Sequence, residues 1–421
     1  MQGLTPQSVI GLRSTNGETA DTGFEKRPRE QCCESALTEY VAVGPTYYSK
    51  RGHVTGDKRT AHMDHGNSNH NGTSAATSPQ HFWAEWRDAV EPRTVALIVG
   101  VLFLQLGFIL SYVGAFHAPK PHEIPVVVVA PTSYSTKIIA ELNGLTTSPL
   151  KARVVSSVSV AKKGIRTDQT SAVFIFNPQS RTDKLLVTTA GGSAVVKAVT
   201  TVVTQFETAQ SRSVSVIDLV PGQSGDQSGL AGFYLVIGWI VGGYLVASLL
   251  GVARGSRPAN RRRAIFRLGA IIPYALLSGL GGALVVDQLL NALTGHFVAL
   301  WLLGALLVAS AATVTMAFQV LFGVFGIGVT VLLFVILGNP SAGGAYQPSV
   351  LPPFWRTLSG ALPNGAGTDA VRRIVYFGAN GIGGNLVVIS LYVVGGVFAT
   401  IVGTHFHHRR TTRLEQLPST A

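Results

Sequence analysis

Charge is what this sequence has least of. Of its 421 residues 13% are charged, against roughly 25% in an average soluble domain. That is too little to cover the surface of a soluble chain this long. Cysteine is nearly absent: the chain has two, Cys32 and Cys33. The region 117–228 contains neither, so its fold must hold without disulfides. The adjacent pair reads as a redox or metal site, or more simply as incidental in a polar tail. No Gly-Lys dipeptide occurs, which excludes the phosphate-binding loop G-x-x-x-x-G-K-[ST]. Any ATP hydrolysis would therefore fall to a separate ATPase subunit. No zinc-finger spacing or aromatic–basic interleaving accompanies the net charge of +12, so nucleic acid is not an expected partner. A nucleophile–base signature and a metalloprotease helix are also missing. No catalytic residue, cofactor or metal site is expected, and the chain does not read as an enzyme.

What is present is apolar sequence. Between Arg267 and Arg356 the only charged side chain is Asp287, and 374–408 has none. About 20 consecutive apolar residues suffice to cross a bilayer. The expectation is an α-helical polytopic membrane protein with six spans, at 94–116, 230–252, 268–290, 297–318, 320–337 and 385–403. The boundary near Gln319 carries no charged residue to mark a turn. Arginines flank these tracts, six of them between spans two and three (Arg254, Arg257, Arg261, Arg262, Arg263 and Arg267) and three in the tail (Arg409, Arg410 and Arg413). The preference of Lys and Arg for the cytoplasmic side places both termini in the cytoplasm and the chain in the cell inner (plasma) membrane. Arg356, Arg372 and Arg373 then fall on the opposite face, against that preference.

Five regions follow. Residues 1–80, rich in Gly, Ser, Thr, Asn and His, read as a disordered cytoplasmic tail. His62, His65, His70 and His81 there could collect a metal, although a polar tail is the simpler reading. Residues 81–116 combine an interfacial helix carrying Phe82, Trp83 and Trp86 with the first span. Residues 117–228 read as an extracytoplasmic α/β domain inserted after that span. Its strands are expected at 124–130, 153–158, 172–176, 185–189 and 214–220. Helices are expected at 135–145, near Ala161, and after Ser193 as cap. Residues 229–403 form a five-span membrane domain. It includes a proline-broken, re-entrant segment at 339–384 with short helices at 354–361 and 368–377. Residues 404–421 are a cytoplasmic basic tail, in which His405, His407 and His408 lie close together beside Arg409 and Arg410.

Inside the spans, Asp287 is the sole acidic residue. Intramembrane carboxylates are costly and often functional, so it is a candidate for conduction or proton movement. Its place near a span end would equally let it reach water. Pro273 in the same span should bend the helix, as a gating hinge or a fixed kink. Gln105, near the middle of span one, is expected to bond across helices rather than meet a substrate. Gly100, Gly107 and Gly114 repeat at heptad spacing, and Gly238, Gly242, Gly279, Gly281 and Gly282 occupy spans two and three. Such glycines permit close helix packing or a dimer seam.

Several phrases carry a family resemblance. Asp226-x-x-Gly229-Leu230-x-x-Phe233-Tyr234 opens span two, after Asp218-Leu219-Val220-Pro221. Gly338-Asn339-Pro340-Ser341-Ala342-Gly343-Gly344 follows span five. Then come Leu351-Pro352-Pro353-Phe354-Trp355-Arg356, Leu362-Pro363-Asn364-Gly365-Ala366 and Arg373-x-x-Tyr376-Phe377. Together the chain from about residue 82 to 403 resembles the phage-infection-protein-like (YhgE/Pip-like) membrane proteins, related to type-2 ABC-transporter membrane domains. The resemblance implies an interfacial helix before span one and a coupling loop at Arg254, Arg257, Arg261, Arg262, Arg263 and Arg267. It also implies re-entrant helices before the last span, with Asn339, Pro340, Trp355, Arg356, Arg373 and Tyr376 in that segment. The function it implies is a permease subunit, as a homodimer or heterodimer in the lipid bilayer, exporting a hydrophobic or envelope compound with a separate ATPase. The alternative is an envelope scaffold or receptor whose extracytoplasmic domain binds a partner.

Overall fold

The computed structural model describes residues 92–255, 258 and 260–415. The expected tail at 1–80, most of the interfacial helix, both cysteines, the N-terminal histidines and Arg257 lie outside the described residues. So do the side chains of Arg254 and of residues 407–421.

Among the described residues, five helices are long and apolar enough to cross a bilayer. They are α1 (Pro92–Phe116), α5 (Ala231–Arg254), α6 (Arg261–Ala283), α7 (Phe297–Phe322) and α11 (Gly383–Glu415). The chain is a multi-pass membrane protein. The fifth expected span departs from expectation in length. Helix α8 (Phe325–Val331) continues through a π segment, Leu332–Gly338, and a last turn, Asn339–Ser341. This 17-residue apolar helix, Phe325–Ser341, reaches roughly 25 Å against about 30 Å of hydrocarbon. The turn before it lies at Gly323, at φ +64°, four residues after Gln319. Gln319 is itself helical and buried. The reason is conformational: Gly323 alone at that point tolerates a left-handed backbone.

Helix α7 is the axis of the bundle. It packs against α5, α6, α8 and α11. Its run Ser310-Ala311-Ala312-Thr313 is wholly buried, with Thr313 and Thr315 returning their hydroxyls to carbonyls of the preceding turn. Small residues let backbones approach without leaving polar groups bare. Gly243 abuts the Val308 carbonyl, and Gly279 abuts Trp301 and Ala305. Trp239 fills the space between α5, α6 and α7, donating its indole N–H to the Ser278 carbonyl at 3.2 Å. Gly282 and Gly304 lie against that ring. The expected packing role of the span-two and span-three glycines is met at Gly242, Gly279 and Gly282, while Gly238 and Gly281 face open space.

Helix α1 differs from the rest. Nearly all of it is exposed, and of its three heptad glycines only Gly107 meets a neighbour, Ile336. Gln105 is exposed too. The expected interhelical hydrogen bond is not among those of the described residues, because the contacts of α1 run through Leu104, Gly107, Ser111 and Ala115 while Gln105 lies on the exposed side.

Between α1 and α5 lies the α/β domain. Its elements are β1 (Ile124–Val129), α2 (Thr132–Asn143), β2 (Leu150–Val154), α3 (Val158–Arg166), β3 (Ala172–Ile175), β4 (Thr182–Val187), α4 (Ser193–Ala209) and β5 (Ser213–Asp218). The sheet order is β2-β1-β3-β4-β5, parallel except for the β3–β4 hairpin. Alternation along the strands builds two cores. Val126, Val128, Phe174 and Leu185 face α2 and α4, while Val127, Val173 and Leu186 face α3. Buried on both sides, β1 reads as an unbroken valine run. Two expectations fail here. The strand expected at 153–158 ends at Val154, because Ser157 caps α3 by accepting from the Val160 N–H. Ser193 is the first residue of α4 rather than its cap, which is Gly192 at φ +130°.

If Trp239 is the keystone between α5, α6 and α7, Gly304→Val should lower the unfolding temperature in detergent. Overpacking costs of about 1–3 kcal/mol apply. Gly281→Ala, with nothing near its Cβ, should leave it unchanged. Trp fluorescence during thermal unfolding reads both; equal melting of the two variants would refute the assignment.

Candidate functional site

Two of the quoted phrases, 25 residues apart, meet inside the bundle. Pro363 occupies the first position of α10 (Pro363–Tyr376), where its missing N–H costs nothing. Asn364 follows, with no solvent exposure. Its Nδ2 donates to the Phe334 carbonyl at 2.9 Å and to Asn339 Oδ1 at 2.8 Å. Phe334 belongs to the π segment of α8. A π turn shifts the hydrogen-bond register and leaves a carbonyl to be satisfied by a side chain, an arrangement frequent at functional sites. The neighbouring carbonyls are served likewise. Ser111 of α1 donates to Ile336, and Ser341 donates to Leu337 at 2.7 Å. Gly338 is obligatory here: a Cβ would sit 2.4 Å from Asn364 Oδ1. That Oδ1 is buried and has no hydrogen-bond donor among the described residues. The result is a buried polar knot shared by α1, α8 and α10.

The expected re-entrant segment at 339–384 contains two short helices, α9 (Pro353–Ala361) and α10. The second starts at Pro363 rather than 368, because the Pro-Asn-Gly phrase initiates it. Of the expected residues there, Asn339 is in the knot and Pro340 is buried beside it. Trp355 is buried with Ala115 and Leu351. Arg356 donates to the Pro348 and Leu351 carbonyls. Arg373 bonds Asp369 Oδ2 at 2.7 Å, Asp168 Oδ2 at 2.8 Å and the Asn380 carbonyl at 2.9 Å. Asp168 belongs to the α/β domain, so this guanidinium is one of the ties between that domain and α10. Burial raises the Asp168 carboxyl and Arg373 pulls it back. Tyr376 donates to Asp226 Oδ2 at 3.3 Å and accepts from the Gln223 N–H. Asp226 in turn caps α5 through the Ala231 N–H.

Compared with protein-family models, curated proteins and solved structures, the chain matches none. The site therefore rests on geometry.

The other expected candidates scatter. Asp287 is buried in the π segment Leu284–Leu289 that ends α6, and accepts from the Gly295 N–H at 3.3 Å. It closes the α6–α7 connection and does not meet the knot. Pro273 lies inside α6, which runs on through it. Arg261, Arg262 and Arg263 are helical and exposed in the first turn of α6 rather than in a loop, because Asn260 caps the helix through the Arg263 N–H. Arg267 donates to the Gly255 carbonyl at 2.9 Å. Three contributors escaped the sequence reading. Asn364 was legible as an uncharged polar residue opening a helix in an apolar tract. Asp369 was legible from its i,i+4 spacing to Arg373. Asp168 carried no signal, since its pairing is purely tertiary.

A second ionisable cluster sits on the α/β domain. Arg212 grips buried Asp183 through two bonds of 2.7 Å and lies 3.4 Å from buried Glu207. Its guanidinium also covers the Phe176 ring. Burial first, and the Asp183 carboxylate second, push Glu207 up to about 8.

Asn364→Leu should leave the Phe334 and Asn339 acceptors bare and cost about 1–3 kcal/mol, read as earlier unfolding in a denaturing-detergent titration. A wild-type curve would show that the knot carries no stability. The Glu207 group binds its proton more tightly folded than unfolded. Its contribution is therefore complete below about 4.5 and fades as pH rises through about 8. In the full chain, hydrogen exchange of α4 and β5, corrected for intrinsic rate, should loosen from pH 5 to 8.5. Glu207→Gln should flatten that dependence; persistence of the slope in the variant would exclude Glu207 as its source.

Proposed function

We propose that the chain is a permease-like membrane subunit, resembling the phage-infection-protein-like proteins and type-2 ABC membrane domains. In this reading it exports a hydrophobic or envelope compound, energised by a separate ATPase. The observation that carries the reading is the Asn339–Asn364 knot. A helix interrupted by a π segment, held at membrane depth by a buried amide against a re-entrant pair, is of no use to a simple anchor. It is useful to a bundle that must change its packing. The direct tie from the re-entrant pair to the α/β domain through Arg373 supports coupled movement of the two.

Other features fit the same scheme. The exposed arginines at the start of α6 lie at the end of the bundle away from the α/β domain. In this reading that end faces the cytoplasm, and the arginines meet an acidic groove on the ATPase. The exposed α1, with Gln105 facing outward at mid-span, suits a partner helix from a second subunit, since a bare amide in hydrocarbon is costly.

One observation favours the second reading, an envelope scaffold or receptor. Strand β5 ends the sheet, with Val216 and Ile217 exposed, and an open edge is a ready template for an added strand.

Purification from mild detergent, followed by an ATPase assay on the co-purifying fraction, separates the two. The permease reading expects associated ATPase activity that falls about tenfold or more when Arg261, Arg262 and Arg263 become Ala, as charged contacts across an interface are lost. A folded preparation with no ATPase would sink it and leave the receptor reading.

A further inference from the structure

Arg356 stood against the charge rule in the sequence, and the structure places it in a basic pocket. The linker leaving α1 is stitched to the 3-10 turn Pro348–Val350: Lys120 N–H donates to the Val350 carbonyl at 3.1 Å, and His122 N–H to Ser349 at 2.9 Å. Arg356 holds the same turn from the other side, through the Pro348 and Leu351 carbonyls at 3.2 and 3.0 Å. These bonds fix Lys120, His122 and Arg356 around a cavity of about 370 Å³, whose walls also include His117 and Pro353. His117 is anchored by Nδ1 to the Val113 carbonyl at 2.8 Å.

The chemistry of this cavity is mainly basic, with the Glu123 carboxylate close enough to feel His122 and Arg356. Neither Lys120 nor Arg356 has a carboxylate within ion-pairing distance among the described residues, and the nearby Glu123 is engaged by Lys151 at 3.2 Å. Helix α9 starts in the cavity wall at Pro353; Pro352 and Pro353 offer no N–H, so that end contributes its dipole alone. The level is also informative. The cavity begins at His117, directly past the end of α1, and its lining residues are chain neighbours of Phe116, which packs on Tyr346, and of Phe354, which packs on Trp355. The end of a span is where a chain leaves the hydrocarbon for the headgroup region.

We infer that Lys120, His122 and Arg356, with His117, form a binding site for a phosphate group at the bilayer surface on the side of the α/β domain. The group is the phosphodiester of a lipid headgroup or a free phosphate, and the inference does not depend on the export reading.

The test uses the full-length protein in detergent, with inorganic phosphate, dihexanoyl phosphatidylglycerol and phosphate-free dioctanoylglycerol as probes, and bound species counted by native mass spectrometry. Wild type should retain phosphatidylglycerol over dioctanoylglycerol. Lys120→Gln with His122→Gln, whose side chains make no structural hydrogen bond among the described residues, should weaken retention about tenfold. Arg356→Gln should weaken it further; should that variant fail to fold, the double variant alone decides. Competition by inorganic phosphate would support the site with the free ion as a source, and retention of the lipid alone would support it with the headgroup as the source. Equal retention of dioctanoylglycerol, or wild-type retention in the double variant, would overturn it.

Discussion

Backbone amides in hydrocarbon have no water to turn to, and this fold is organised around that fact. Regular helices satisfy the requirement by themselves. The chain departs from regularity in α8, at the end of α6, and between α8 and α11. At each departure a side chain supplies what the backbone lost. Asn364 and Ser111 serve the π segment of α8. Asp287 takes up the Gly295 N–H after the π segment of α6. Arg372 and Arg356 cover carbonyls of the loop that follows α8.

Three arginines of the segment before α11 are part of the same bonding. Arg356, Arg372 and Arg373 are fastened to carbonyls and carboxylates, so their position is set by local bonding. Arg373 does more, because its partner Asp168 belongs to the α/β domain. Motion of α10 and of that domain would be shared through this ion pair together with the Tyr376 bonds to Gln223 and Asp226.

Glycine has a parallel role along α7. Gly243 and Gly279 bring neighbouring backbones onto the axis, and Gly282 and Gly304 make room for Trp239. Interfaces of small residues give contact area without polar exposure, and they leave little tolerance for added volume. The knot and the Trp239 contact are thus two forms of one solution, polar in the first case and steric in the second.

The sequence by itself determined the membrane class, because apolar tracts without charge admit few alternatives. It determined the α/β character of 117–228, because strand runs and helical periodicity are local signals. It also placed the first of the two short helices before α11, expected at 354–361 and found at Pro353–Ala361. Tertiary structure alone decided the rest. The turn moved from Gln319 to Gly323 because backbone freedom, not charge, located it. Gln105 faced outward because the contact side of α1 depends on its neighbours. Asn339 and Asn364, 25 residues apart, became one site only because α10 folds back against the π segment. Asp168 found Arg373 only when two regions docked. Periodicity and composition report what each segment would bury, but they do not report which segment it is buried against.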